Sequence, residues 1–105
     1  NHGGRQLDGA PASIDALPTA STIAGSDVEV WLDGGIRSGQ DVLKALALGA
    51  KGTMIGRAYL YGLGALGAEG VTRCLELIAN ELDLSMAFCG IRNVTDVDRR
   101  ILWEP

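Results

Sequence analysis

Val28-Glu29-Val30-Trp31-Leu32-Asp33-Gly34-Gly35-Ile36-Arg37-Ser38 and, one helix-length further on, Gly52-Thr53-Met54-Ile55-Gly56-Arg57 are the stretches that decide the fold. Each is a short apolar, β-rich run that stops at glycine and then meets an arginine. Between them, Ser38 with Asp41 three residues on predicts a helix opened by a capping box. Its apolar face is Val42, Leu43, Leu46 and Ala50, and Gly49 suits its end. The unit is therefore strand, glycine loop, helix, and then strand and glycine loop again.

Working outward, Ser13 to Ala24 carries Ile14, Leu17 and Ile23 at roughly helical spacing, with Ser13 as N-cap. Pro18 requires a break or kink there. Ala58 to Leu66 reads as a short extra helix. Gly70 begins a last helix with Val71, Leu75, Ile78 and Leu82 on one face. The tail from Gly90 to Pro105 is charged, and its Ile101-Leu102-Trp103 is expected to pack against something. The alternation predicts a parallel α/β fold. Two strands cannot make such a sheet, because parallel strands are buried on both faces. A (β/α)₈ TIM barrel needs ~250 residues. The expectation is that residues 1–105 are its C-terminal part, about the last two β/α units, and not a complete domain.

Bulk properties agree. The 105 residues are 47% apolar, which implies a real core, and the 15 glycines fall in short clusters between apolar runs. The chain opens at Asn1 on a glycine-rich polar loop, which suits a fragment of a longer protein. Net charge is −4 with no basic stripe, so a nucleic-acid partner is not expected. Cys74 and Cys89 have no metal-ligand spacing; no metal is expected, and reduced structural thiols in a cytosolic setting fit best. No apolar run approaches the ~20 residues that span a bilayer.

Asp33-Gly34-Gly35-Ile36-Arg37 and Gly56-Arg57 each follow a strand and precede a helix. Glycines let backbone N–H groups converge on an anion, helix N-termini add partial positive charge, and arginines close on phosphate oxygens. In barrels the loops after strands seven and eight, with a short extra helix, often build such a site. One Gly-Arg pair alone would be an ordinary turn with a surface arginine; two pairs at strand ends weigh toward phosphate binding.

Asn1-His2-Gly3-Gly4-Arg5-Gln6-Leu7-Asp8 adds a second chemistry. A His and an Arg separated by two glycines can face one pocket from a tight turn. Imidazole, with a reference pKa of ~6.5, accepts a proton near neutrality. The guanidinium matches a carboxylate fork. A base beside a carboxylate anchor is what oxidation at a carbon α to a carboxylate requires. By spacing alone, a surface His on a flexible end is an equal reading.

Asn1 to Asp8 resembles the active-site motif of the FMN-dependent (S)-2-hydroxy-acid dehydrogenases and oxidases, the lactate, glycolate and mandelate oxidising flavoenzymes. Asp33 to Arg37, then Lys44-Ala45-Leu46-Ala47-Leu48-Gly49-Ala50, then Ile55-Gly56-Arg57 are similar to that family in the same order. Gly67-Ala68-Glu69-Gly70-Val71 is similar too, so the likeness covers nearly the whole chain.

The resemblance implies His2 as the base, Arg5 on the substrate carboxylate, and Asp33, Gly34, Gly35, Ile36, Arg37, Gly56 and Arg57 lining the FMN phosphate and ribityl region. It implies FMN as cofactor and a small 2-hydroxy acid, L-lactate first, as substrate. It also implies a homo-oligomer (a tetramer by analogy) and a cytoplasmic or inner-membrane-peripheral location. The family's other substrate-binding Tyr and Arg, the carboxylate that orients the His, and a Lys near the flavin come from earlier strands. The isolated chain is therefore expected to be inactive without the rest of the barrel. Asp8 reads as a loop or helix-entry residue. Trp31, Trp103, Tyr59 and Tyr61 read as packing residues. Alternatives are a barrel like IMP dehydrogenase or type 2 isopentenyl-diphosphate isomerase, which leaves His2-Gly3-Gly4-Arg5 unexplained, or an inactive fragment of the parent enzyme.

Overall fold

A computed structural model describes residues 1–103; Glu104 and Pro105, the end of the charged tail, lie outside them. The elements run α1 (Ser13–Ala24), β1 (Trp31–Asp33), α2 (Gly39–Ala47), β2 (Gly52–Met54) and α3 (Arg57–Phe88). The alternation is the expected one, but helix dominates: helices of 12, 9 and 32 residues stand against two strands of 3 residues each.

The strands pair in parallel, Trp31 opposite Gly52, Leu32 opposite Thr53 and Asp33 opposite Met54. β1 is shorter than the run from Val28 suggested. Only the residues opposite β2 join the ladder, and Val30 contributes its carbonyl to the N–H of Lys51 at 2.8 Å, just before β2 begins. Strand alternation puts Leu32 on the helix-covered face, where it clusters with Leu17, Ile36, Ala45 and Ala50. Trp31 and Met54 point to the other face and are each 54% exposed. A parallel pair bare on one face is unusual, since such sheets are normally covered on both.

α1 departs from expectation in two ways. Ala12, in extended conformation, takes the N-cap position, and Ser13 is already the first helical residue. The helix also runs through Pro18 without a break. A proline inside a helix costs on the order of 3 kcal/mol. The helix persists because buried Leu17 and half-buried Ile14 pack it onto the core, and tertiary packing outweighs its own hydrogen bonding.

α2 starts as expected, with the complete Ser38–Asp41 capping box. Its burial is wider than one stripe. Leu43, Ala45 and Ala47 are buried while Val42 and Leu46 are only partly so, because α2 is held between β2 and α3.

α3 is two helical arms, 57–65 and 68–88, joined at the non-helical Leu66 and Gly67. The arms fold back until backbone touches backbone: a Cβ on Gly70 would lie 1.9 Å from the Gly62 carbonyl oxygen. Only residues without a side chain allow that approach. On the longer arm Val71, Cys74, Ile78 and Leu82 turn inward, whereas Leu75, expected on that face, is 52% exposed.

In the tail, Ile101 and Leu102 are half-buried and border a groove with Leu43 of α2 and Phe88 of α3. Trp103 is 91% exposed and Tyr61 75%, so neither packs within the described residues as expected.

Candidate functional site

The N-terminal loop closes into one 3₁₀ turn, Gly3–Arg5. The N–H of Arg5 reaches the His2 carbonyl at 3.0 Å, and those of Gln6 and Leu7 reach the Gly3 carbonyl at 3.0 and 2.9 Å. His2 and Arg5 therefore stand at the two ends of a single hydrogen-bonded turn. Both side chains are exposed, with no hydrogen-bond partner among the described residues. Asp8 is exposed in the following turn, in keeping with a loop role.

This turn is anchored at the end of β1. The side-chain amide of Asn1 donates to the carboxylate of Asp33. Behind that bond the chains are in contact: a Cβ on Gly34 would lie 2.7 Å from the Asn1 Cβ and 2.8 Å from the Ser13 Oγ, at a φ of +119°. The two glycines after Asp33 thus do different work. Gly34 packs against the N-terminal loop, while Gly35, with φ +79°, has open space where a side chain would be. Ile36 is 6% exposed within the core, so its side chain is unavailable to a ligand and only its backbone could contribute.

The two glycine loops, alike in sequence, differ as anion sites. At the start of α2, Asp41 Oδ2 accepts from the N–H groups of Arg37 and Ser38, each at 3.0 Å. Glu81 Oε2, from α3, accepts from the N–H of Gly39 at 2.9 Å. Three successive backbone donors are occupied, and two carboxylates already sit where an anion would be repelled. The expectation that both helix N-termini present free donors is therefore corrected for α2. At the start of α3, Gly56 is the N-cap without a side-chain cap, the first turn holds no acidic residue, and nothing stands within 4 Å of a Cβ on Gly56. The unsatisfied N–H groups and partial positive charge of a helix start are available there.

Arg37 and Arg57, from the two loops, line one cleft of about 380 Å³ with Ala58, Tyr61, Cys74 and Glu81. Cys74 donates its thiol to the Ala58 carbonyl at 3.3 Å, tying the arms of α3 together, and both cysteines are free. Cys74 thus has the structural role expected of it, whereas Cys89 is exposed. An FMN phosphate fits this corner: an uncapped helix start, an unobstructed glycine and two guanidinium groups are what a phosphate dianion needs. Sequence reasoning missed Asn1, which lay inside the quoted motif, and Glu81, 42 positions from the N–H it binds, for which no local signal exists. Among the described residues no helix is long and apolar enough to cross a membrane.

The chain is similar to known proteins over nearly all of its length. The chain is 51% identical to an L-lactate dehydrogenase of Caulobacter vibrioides over 104 residues, 99% of this chain and 27% of that protein. It is 54% identical to a pre-mycofactocin synthase of Mycobacterium tuberculosis over 97 residues, 92% of this chain and 24% of that one. A mandelate oxidase variant solved with a monooxide FMN adduct superposes with a TM-score of 0.87 at 46% identity, over 94% of this chain and 32% of its own. The chain thus spans about a quarter to a third of the length of these relatives. The model of the FMN-dependent dehydrogenases matches residues 1–104, and the chain belongs to that family.

Proposed function

We propose that this chain is the C-terminal part, about the last two β/α units, of an FMN-binding (β/α)₈ barrel that oxidises an (S)-2-hydroxy acid, L-lactate first among candidates, to the 2-oxo acid. The observation that carries the reading is the Asn1–Asp33 bond, which holds the His2–Arg5 turn at the end of β1, where the Gly34-Gly35 loop begins. The bare sheet face with Trp31 and Met54 supports further strands on that side.

Gly56 and Arg57, with Arg37, would hold the FMN phosphate at the start of α3; Asp33, Gly34 and Gly35 would line the ribityl region. Bound there, FMN supplies the acceptor for the two electrons that leave the substrate. Arg5 would hold the substrate carboxylate through two parallel N–H donors, which fixes the orientation of Cα. The His2 imidazole would take a proton from the substrate and hold it as imidazolium while the carbonyl forms. The exposure of both side chains leaves them open to a substrate. The 105-residue chain by itself would be inactive, because the sheet and pocket need the remaining strands.

The 54% identity to a pre-mycofactocin synthase favours a second reading, another FMN-dependent reaction run by the same His2–Arg5 pair. A visible spectrum of the full-length protein, before and after anaerobic (S)-lactate, glycolate and (S)-mandelate, separates the readings. Flavin bands that bleach with one of these acids support hydroxy-acid oxidation. Flavin that none of them bleaches favours the second reading, and a protein that binds no flavin overturns both.

A further inference from the structure

The N-terminal loop carries the two side chains assigned to chemistry, yet it is exposed throughout residues 1–9. Its own hydrogen bonds are local, joining residues no more than four apart. Among the described residues, the Asn1 amide on the Asp33 carboxylate is the one side-chain hydrogen bond that ties residues 1–12 to the rest of the molecule. Asn1 directly precedes His2, whose carbonyl starts the 3₁₀ turn ending at Arg5. One covalent link and one turn therefore transmit the position of Asn1 to both functional side chains. Gly34 completes the contact, since any Cβ there would collide with the Asn1 Cβ.

We propose that Asn1 is a positioning residue: its amide, clamped on Asp33 and seated on Gly34, sets where His2 and Arg5 stand relative to the cofactor loop. The inference rests on the flavoenzyme reading above for what the positioning achieves. Asp33 Oδ2 is engaged by Asn1, so the strand end that leads into the Gly34-Gly35 loop is tied directly to the His2–Arg5 turn. A hydrogen bond to a carboxylate is the stronger kind, which suits a positioning role. Displacing reacting groups by about 1 Å is enough to cost ~100-fold in rate.

The test uses two variants of the full-length protein. Asn1→Asp keeps the shape and replaces the donor by a carboxylate facing Asp33; Asn1→Ala removes donor and packing together. Hydrogen exchange at the Arg5, Gln6 and Leu7 amides should be roughly 5- to 10-fold faster in both. In the same variants kcat should fall ~10- to 100-fold, with FMN affinity kept because Gly56 and Arg57 hold the phosphate. A protein that had merely lost stability would lose FMN along with turnover. Unchanged exchange in both variants, or faster exchange with wild-type kcat, overturns the proposal. If the wild type itself oxidises no hydroxy acid but the variants still exchange faster, the tether stands and only the enzymatic reading falls.

Discussion

The side-chain amide of Asn1 donates to the carboxylate of Asp33, joining two residues 32 positions apart. One side of that bond is the turn that holds His2 and Arg5; the other is the strand end from which the Gly34-Gly35 loop departs. The His2–Arg5 turn is thereby held at the C-terminal end of β1.

Replacing His2 by Ala in the full-length protein should lower kcat by ~100- to 10,000-fold, the range for losing a general base. Flavin content should not change, because His2 lies outside the phosphate corner. Arg5→Lys should raise KM for the hydroxy acid by roughly tenfold, since an ammonium cannot match a carboxylate fork. Steady-state kinetics and the flavin-to-protein absorbance ratio check both; wild-type kcat in His2→Ala would remove it from the mechanism.

Arg57 and Arg37 should not be equivalent. Arg57 stands on an uncapped helix start, whereas the start of α2 beside Arg37 is occupied by Asp41 and Glu81. Arg57→Ala should weaken FMN binding by ~10- to 100-fold, the worth of one charge-assisted hydrogen bond, and Arg37→Ala by less. Flavin fluorescence titration of the apoprotein measures both, and the reverse order would sink the assignment of α3 as the anion site.

The hairpin of α3 makes a stability prediction with an internal control. Gly70→Ala drives a methyl into the Gly62 carbonyl, a backbone atom that cannot rotate away, and should destabilise by about 3 kcal/mol or more. Gly64→Ala, where nothing lies within 4 Å, should instead stabilise by up to about 1 kcal/mol through helix propensity. Urea unfolding midpoints decide it; equal midpoints for the two variants would mean the arms do not pack as described.

In the tail, the Arg100 guanidinium hydrogen-bonds the Asp98 carboxylate and holds its pKa below the ordinary value of 3.8. A carboxyl whose folded pKa is depressed contributes stability above its unfolded value, and that contribution is lost as pH falls through the folded one. The window thus begins near pH 3.8 and lies below it. The Arg100 side chain is 87% exposed and that of Asp98 48%, so solvent screening keeps the effect small. A carboxylate titration by NMR should place Asp98 below 3.8, and Arg100→Ala should raise it toward that value, with the backbone N–H of residue 100 still holding it down.

Much of this was legible in the residues because it is local. The Ser38–Asp41 box, the glycine stops after both strands and the break before the last helix each follow from side-chain chemistry within a few positions. The same locality explains the errors. Pro18 argued for a kink because a lone helix would break there, but Leu17 is buried and packing overrides the lost bond. Leu75 looked inward by spacing, yet the inward face follows Cys74 and Ile78, because Gly62 and Gly70 set how the arms cross.

By itself the sequence determined the strand–loop–helix order, the His2–Arg5 pair and the two glycine-arginine loops, since periodicity, turn residues and caps act over short spans. The tertiary structure alone decided which helix start has its backbone donors satisfied, because at α2 one of them is bound by Glu81, 42 positions away. It alone decided that Asn1 meets Asp33 and that Gly34 faces the protein while Gly35 faces open space. Such contacts depend on where chain segments come together in space, and no spacing rule along the chain records that.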